Sequence, residues 1–473
     1  MHLRCQIIWT LIFILISPLW VIGGENPPPP QSTMHFDDDA SFLLEPGTVL
    51  DLKSTQQFAL SANPSIRAAA ARVKSARDRL EQASSSYWPR VDSEFSYSQI
   101  DLSDNAHAAA LQTAKAFNPL ATIDDPENYF KVGLSATWTL FDGFERKFSI
   151  TAAEYGVQES IEGLRESNRL LLAAIAEIYY NGLLSRENIA VAQANKDYYA
   201  SLLSEAKARR QVGVGSLSTV LNIEVQYNSA ERQLINARYD YQTSLAVLGA
   251  LMGLPNALPD TIQLAPLEEE KDADFHSPDA EELLRYALEN RPDILQMSCR
   301  IGLAESQQMQ AKAQFYPRLD LRATYSGERT DNMSFDQDDF GNTIMLNLSY
   351  NLFAGGLYKK KISEARHLIN AADKEYDNLK NSIGREIRAA VLALRFAQDQ
   401  IELQRSNLQL VRQNRDLVEK EYEVGQALLI RLNEAQRDLI TTQSVLAQAR
   451  VSLRRAWHNL EIASGRGLER RDL

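Results

Sequence analysis

The chain has 473 residues, 44% of them hydrophobic, with 62 acidic against 50 basic side chains and a net charge of −12. That length gives ample material for a large core, and the acidic balance argues against a nucleic-acid partner. Six histidines with no HxxxH spacing, only two cysteines, and no glycine-rich phosphate loop or nucleophile motif point to a protein that is not an enzyme, with no metal and no cofactor.

The N-terminus, MHLRCQIIWTLIFILISPLWVIGG, carries one arginine, an apolar run from Ile7 to Ile16, Pro18 and the small residues Gly23 and Gly24. This is the layout of a cleavable secretory signal over residues 1–23, and its run is shorter than the roughly 20 residues a spanning helix needs. Cys5 precedes the run, so it is not placed for lipidation at a signal cleavage site; Cys299 is left as a structural thiol. No later segment is apolar enough for a transmembrane helix. Membrane residence therefore has to come from strands or from lipid. The Pro- and Asp-rich stretch that follows, within residues 24–57, predicts an extended linker.

From there the chain is written twice. Pro64/Pro292, Pro89/Pro317 and Arg90/Arg318 sit 228 positions apart, whereas Phe141/Phe353, Val212/Val424, Gly213/Gly425 and Gly253/Gly465 sit 212 apart. One length change, in a loop longer in the first copy, reconciles the two offsets. The predicted organisation is repeat 1 over 58–252, an equatorial belt segment over 253–290, repeat 2 over 291–465 and a short tail over 466–473. A period this long is a duplicated domain and not a solenoid.

Each copy opens with a helix, Pro64 to Ser86 or Pro292 to Gln314. Two alternating segments follow, separated by a polar loop. Val91, Phe95 and Tyr97 oppose Asp92, Glu94 and Ser96; Leu134, Ala136, Trp138 and Leu140 oppose Gly133, Ser135, Thr137 and Thr139. In the second copy Leu319, Leu321, Ala323 and Tyr325 oppose Asp320, Arg322, Thr324 and Ser326, and the last segment alternates from Ile344 to Leu352. Segments of about ten residues with one apolar and one polar face have the length and period of outer-membrane barrel strands. An ordinary antiparallel sheet on a core shares that alternation. The flanking Tyr87, Trp88, Tyr129, Trp138, Tyr316 and Tyr325, placed as interfacial girdles, and the secretion signal favour the barrel. Four strands cannot close one, so the protein must oligomerise: a dimer supplies eight strands and a trimer twelve.

A very long helix follows each strand pair. The second runs from Gly356 to Tyr422 without a proline, roughly 100 Å at 1.5 Å per residue. Its apolar positions, Ile362, Ile369, Tyr376, Ile383, Ile387, Leu394 and Ile401 among them, step by threes and fours like a coiled coil with one stutter at Ile383 and Ile387. A helix this long needs partners along its length. The opening helix and the return helix, Leu217 to Leu251 in the first copy, nearly match it when stacked end to end. The belt segment would then sit at the waist.

NRPDI (Asn290–Ile294), YWPR and FYPR before the first strand of each pair, LFDG and LFAG after the second, YEVG (Tyr422–Gly425) and the duplication itself resemble the TolC family of outer-membrane efflux proteins. The resemblance covers about Phe58 to Gly465. It implies a homotrimer with four strands per protomer in a twelve-stranded β-barrel, in the outer membrane of a Gram-negative bacterium. An α-helical barrel of long coiled-coil-like helices and a mixed α/β equatorial belt would continue it through the periplasm. The partners implied are outer-membrane lipid, a periplasmic adaptor (membrane fusion) protein and an inner-membrane pump or ABC exporter, so the function would be the passive outer-membrane channel of a tripartite efflux pump or type I secretion system. A periplasmic coiled-coil adaptor or a purely structural coiled coil is the competing reading. Neither accounts for two helical hairpins each launched from an amphipathic strand pair.

Two groups of residues follow from the same resemblance, and a third from the strand-to-helix pattern of the chain itself. The Val-Gly turns, Val212, Gly213, Val214, Val424, Gly425 and Gln426, should dock the adaptor, although glycine there also serves chain reversal. Tyr422 and Glu434 match the family's gate pattern, and Arg431, Thr219 and Asn222 occupy gate positions that are often acidic. Ala427 replaces the linking arginine, so the usual salt bridges cannot hold this gate. Asp142 and Gly143, and Gly355 and Gly356, are the swivels between strand and helix, with Glu145 favouring the helix dipole. Ala354 and Gly356 replace Asp142 and Phe144 at the second junction, which predicts two swivels of different stiffness.

Overall fold

The computed structural model describes residues 48–123, 126–254, 258, 262–267, 270, 272–330 and 332–466. The expected signal segment, most of the linker and all but the first residue of the tail lie outside the described residues. The linker assignment overreached at its end. Residues 49–50 form strand β1 (Val49–Leu50), and Asp51 then caps helix α1 (Leu52–Ala62), its Oδ1 accepting the Ser54 N–H at 2.7 Å. That cap satisfies one of the donors a helix start leaves open.

Helix α2 (Pro64–Ser85) leads into β2 (Arg90–Ile100), and β3 (Glu127–Phe141) leads into α4 (Glu145–Gln211). Between the two strands, the stretch expected as a polar loop holds helix α3 (Asp104–Phe117). Its alanine-rich sequence is a good helix former, and none of its side chains is buried. α4 turns back through α5 (Leu217–Leu251), and the waist contributes β4 (Gln263–Leu264) and α6 (Ala280–Asn290). The second half runs α7 (Pro292–Ala313), β5 (Arg318–Thr330), β6 (Phe340–Ser349), α8 (Leu357–Glu423) and α9 (Leu429–Ser464). α4 and α8 are each 67 residues long. Among the described residues no helix is long and apolar enough to cross a membrane.

The sheet is antiparallel in the order β2-β3-β5-β6. The helices attached to those strands follow the same order: α4 packs against α2 and α7, and α7 against α8. Towards the far end the row becomes α5-α4-α9-α8, because α4 packs on α5 and α9, and α9 on α8. Each strand is thus continued by a helix, and the protomer is a wall of four staves.

Two pins join the stacked helices. Asn63, just before α2, donates from Nδ2 to the Leu251 carbonyl at the end of α5 (2.7 Å), and Arg291, just before α7, donates from Nη1 to the Ala463 carbonyl at the end of α9 (2.8 Å). Gly253 and Gly465 follow with positive φ; a Cβ on Gly253 would lie 2.8 Å from the Ala62 carbonyl oxygen, so only glycine fits there. Arg291 is 2% exposed and pairs with Asp293 and Glu386, both at 2.8 Å. Burial works against its charge, but the two carboxylates outweigh it and hold the guanidinium above its usual pKa.

The cores lie inside the staves. Ile383, Ile387, Leu394, Ala397 and Ile401 of the coiled-coil pattern are buried against α9, whereas Ile362, Ile369 and Tyr376 are half-buried. Ile175, Tyr179 and Leu183 of α4 are buried with Leu245 and Leu248 of α5 and with Leu50, Ile262 and Leu264 of the waist. The second waist contact is ionic. Glu270 takes Arg405 of α8 and Arg450 of α9, and Asp274 takes Arg454 at 2.9 Å.

Candidate functional site: sheet faces, strand-helix junctions and helical tip

Directly paired residues share a face of a sheet, so the register fixes which side chains gather. One face carries Val91, Ala136, Ala323 and Ile344 in one row, and Trp138, Leu321 and Leu346 in another. The opposite face carries Asp92, Ser135, Thr324 and Thr343, then Thr139, Asp320 and Asn347. Lys131 and Glu328 pair across it at 2.6 Å. Most of the apolar face is bare in the protomer: Val91, Leu134, Ile344, Leu346 and Leu348 are all exposed. An exposed apolar surface opposed to an ion-paired polar one suits a wall between lipid and water.

Two details correct the sequence reading. Tyr129 lies opposite Ser98 and Thr330, hence on the polar face, and its hydroxyl donates to Glu127 at 2.7 Å, so it is not part of an apolar-side girdle. The last strand ends at Ser349 and not at Leu352. β5 begins at Arg318, opposite Ser349, so Tyr350 to Phe353 find no strand partner within the protomer.

At the first junction β3 bulges between Thr139 and Phe141, and the chain turns through Gly143 (φ 68°) and Phe144 (φ 71°). Asp142 is buried, and its Oδ2 accepts the Arg146 N–H at 3.2 Å and Nε at 2.6 Å. The same guanidinium donates to the Ser86 carbonyl at 3.2 Å and lies 4.8 Å from the centre of the Tyr87 ring. Trp138 Nε1 donates to the Tyr87 carbonyl at 2.9 Å. A Cβ on Gly143 would meet the Ala313 carbonyl oxygen and Tyr316 Cβ, each at 2.6 Å. At the second junction Gly355 (φ 61°) and Gly356 (φ 83°) adopt the same left-handed pair, but nothing lies within 4 Å of a Cβ on either. One turn is braced by α2 and α7; the other is open. Phe144, in a conformation that strains a side chain, sits where the second copy has glycine, and edge-on contacts to Phe141 and Tyr316 hold it there.

Both tip turns close in the same way. The Gly213 N–H donates to the Arg210 carbonyl and the Val214 N–H to the Arg209 carbonyl, each at 3.0 Å; Gly425 donates to Tyr422 at 3.0 Å and Gln426 to Glu421 at 2.7 Å. This is the Schellman arrangement, with glycine in the left-handed position at φ 83° and 79°. Val212, Val214, Val424 and Gln426 are exposed, so the residues expected to dock an adaptor form two bare caps.

The residues expected to form a gate are divided. Tyr422 packs with Val418, Ala427 and Leu432 in a small core. Arg431 and Glu434 are exposed, and neither is ion-paired with another of the described residues. Thr219 is half-buried and accompanies the Ser216 cap of α5, while Asn222 accepts from Asn433 Nδ2 at 3.1 Å, linking α5 to α9. Sequence reasoning missed Arg146, whose place in the first turn of α4, four residues after Asp142, was the available signal. It also missed the ionic waist, where EEEKD on one segment and arginines four apart on α9 could have been matched.

A model of the family described as outer membrane efflux protein matches residues 56–254 and 283–466. The outer membrane efflux protein BepC of Brucella suis is 26% identical over 71% of this chain and 72% of its own length. The outer membrane protein TolC of Escherichia coli is 23% identical over 85% of this chain and 79% of its own. In structure, the Campylobacter jejuni outer membrane channel CmeC superposes with a TM-score of 0.76 at 19% identity, covering 89% of this chain and 87% of that one. With more than half of its length matched by the family model, the chain belongs to the outer membrane efflux protein family.

Proposed function

We propose that the chain is the channel subunit of an outer-membrane export duct, passing substrate from a periplasmic adaptor and its inner-membrane pump or ABC exporter to the exterior. The observation that carries this reading is the wall of four staves. Its sheet has one bare apolar face and one ion-paired polar face, every strand is continued by a helix in the same order, and both sheet edges are open. An adaptor or a structural coiled coil has no use for the bare face.

Three protomers would close a twelve-stranded barrel with the apolar face on lipid and the polar face on water, and the edges β2 and β6 would pair between neighbours. The fold is an internal duplication: the Asn63–Leu251 and Arg291–Ala463 pins recur at the same two offsets as the sequence motifs. Val212, Gly213, Val214, Val424, Gly425 and Gln426 would meet the adaptor at the tip. Tyr422, Arg431, Glu434, Thr219 and Asn222 would line the narrowest point. Arg431 in a constriction disfavours cations by Coulomb repulsion.

The test is single-channel recording of the protein in planar bilayers. Joint replacement of Tyr422, Arg431 and Glu434 by alanine should raise conductance; unchanged conductance removes them from the gate. A protein that fractionates with soluble periplasmic contents and shows no heat-sensitive oligomer would overturn the duct itself.

A further inference from the structure

The two strand-helix junctions carry different charge. Residues 142–147 at the first hold two acids, Asp142 and Glu145, against Arg146 and Lys147, and Arg146 is paired with Asp142. At the second the chain has no acid from Phe340 to Ser363, yet Lys359, Lys360 and Lys361 stand at the start of α8. All three are exposed, and none is hydrogen-bonded or ion-paired with another of the described residues. Cations there oppose the helix dipole, so local stability does not account for the run. Its surroundings mark a membrane level. Leu352 and Phe353, past the end of β6, are 88 and 86% exposed. Tyr87, Trp88, Phe315, Tyr316 and Tyr350, all exposed, stand beside the junction ends of β2, β5 and β6, and Tyr358 meets Phe315 edge-on with ring centres 5.7 Å apart. Aromatic rings of this kind gather at the headgroup level of a bilayer.

We propose that Lys359, Lys360 and Lys361 bind the phosphate groups of anionic phospholipid in the leaflet that faces the periplasm, one cluster per protomer, while Leu352, Phe353 and Leu357 border the acyl chains. The occupant follows from charge complementarity: three unpaired cations beside an exposed apolar segment match a lipid with a net negative headgroup and apolar tails. A free anion would leave the apolar border bare, and a zwitterionic lipid offsets much of the attraction with its own cation. The geometry of the helix suits the contact. α8 packs on α7, and Tyr358, Ile362 and Ala365 are half-buried. At ~100° per residue the three lysines sweep the rest of the circumference, so at least one per protomer faces outward however a neighbour is seated. Side chains lean towards the start of their helix, which here is the membrane end, and a lysine stem can lie along apolar surface with its ammonium at the interface. The first junction, neutral and with Arg146 engaged, offers no such cluster. Lipid thereby holds the Gly355–Gly356 turn, which the protein itself leaves open.

This rests on the apolar sheet face being the lipid side, and the test keeps the two apart. The full chain in detergent is titrated with phosphatidylglycerol and, separately, with phosphatidylethanolamine, and bound lipids are counted by native mass spectrometry. The parent should bind phosphatidylglycerol more tightly, and high salt should weaken that preference. Lys359→Gln, Lys360→Gln and Lys361→Gln together should weaken phosphatidylglycerol binding by about fivefold per lysine and leave phosphatidylethanolamine binding unchanged. Arginine at all three positions should keep the preference, as should Lys147→Gln alone. Equal binding of the two lipids by the parent, or a triple glutamine variant that still prefers phosphatidylglycerol, would overturn the site. So would a lower melting midpoint in the glutamine variant, because removing cations from the start of α8 should leave the helix at least as stable; the lysines would then be structural. A parent chain that takes up neither lipid and does not enter bilayers would overturn the lipid-facing sheet instead.

Discussion

Replacing Gly143 and Gly355 by alanine, one at a time, separates two costs that the strand-helix turns combine. Both glycines have positive φ, 68° and 61°, so each substitution places a side chain in the left-handed region, which costs about 1–2 kcal/mol. At Gly355 this is the whole expected penalty, because no heavy atom lies within 4 Å of the new Cβ. At Gly143 the Cβ would stand 2.6 Å from both the Ala313 carbonyl oxygen and Tyr316 Cβ. Neither is the end of a flexible side chain, so the end of α7 must move, and overpacking of that kind adds about 1–3 kcal/mol. The assay is thermal unfolding in detergent, followed by far-ultraviolet circular dichroism at one scan rate, with the apparent midpoint as readout. Gly143→Ala should lower the midpoint by clearly more than Gly355→Ala. Equal shifts, or a larger one at Gly355, would refute the view that the first turn is braced and the second open.

At the waist, Arg291→Ala should cost about 1.5–3 kcal/mol because it removes charge-assisted hydrogen bonds to the partly exposed Asp293 and Glu386 and to the Ala463 carbonyl, against about 0.5–1.5 kcal/mol for Asn63→Ala, which removes neutral hydrogen bonds. The same melting experiment checks the order, and its reversal would contradict the pin geometry. His458 Nε2 accepts a hydrogen bond from Gln56 Nε2 at 3.2 Å, lies near Glu461 and Tyr180, and is held below its usual pKa by burial. The unfolded chain therefore takes up that proton first, so stability is complete above the ordinary histidine pKa of about 6.5 and is lost as pH falls towards the folded value. Burial raises the pKa of Glu461, whose contribution runs the opposite way and is lost as pH rises. His458→Gln should thus flatten the acid side of the midpoint-against-pH curve between pH 7.5 and 5; an unchanged slope would exclude this histidine.

How much of this was legible depended on whether a feature was periodic. The 67-residue helices, the return helix from Leu217 to Leu251 and the alternating strands came from patterns of 3.5 and 2 residues repeated many times, so local errors averaged out. The tip glycines were legible because a Schellman turn needs a left-handed residue at one position. Single contacts between distant segments carry no such redundancy. Spacing hinted that Arg146 pairs with Asp142 and that EEEKD meets arginines, but not that Arg146 would also clasp Ser86 and Tyr87, or that Glu270 would be the residue bridging Arg405 and Arg450.

By itself the sequence determined the long helices, the alternating strands and their order, though not β1, α1 or α3, because hydrophobic period is a local property of the chain. Only the tertiary structure decided the strand order β2-β3-β5-β6 and the matching order of helices, which left two open margins. It also decided that the last strand stops at Ser349, since a strand extends only as far as its neighbour does. And it decided that the two chemically different junctions share one backbone turn. The left-handed pair at Phe144 and Gly356 is imposed by the strand's exit into the helix, and the Ser86 carbonyl just after α2 and the Tyr316 ring just after α7 set how firmly the first of them is held.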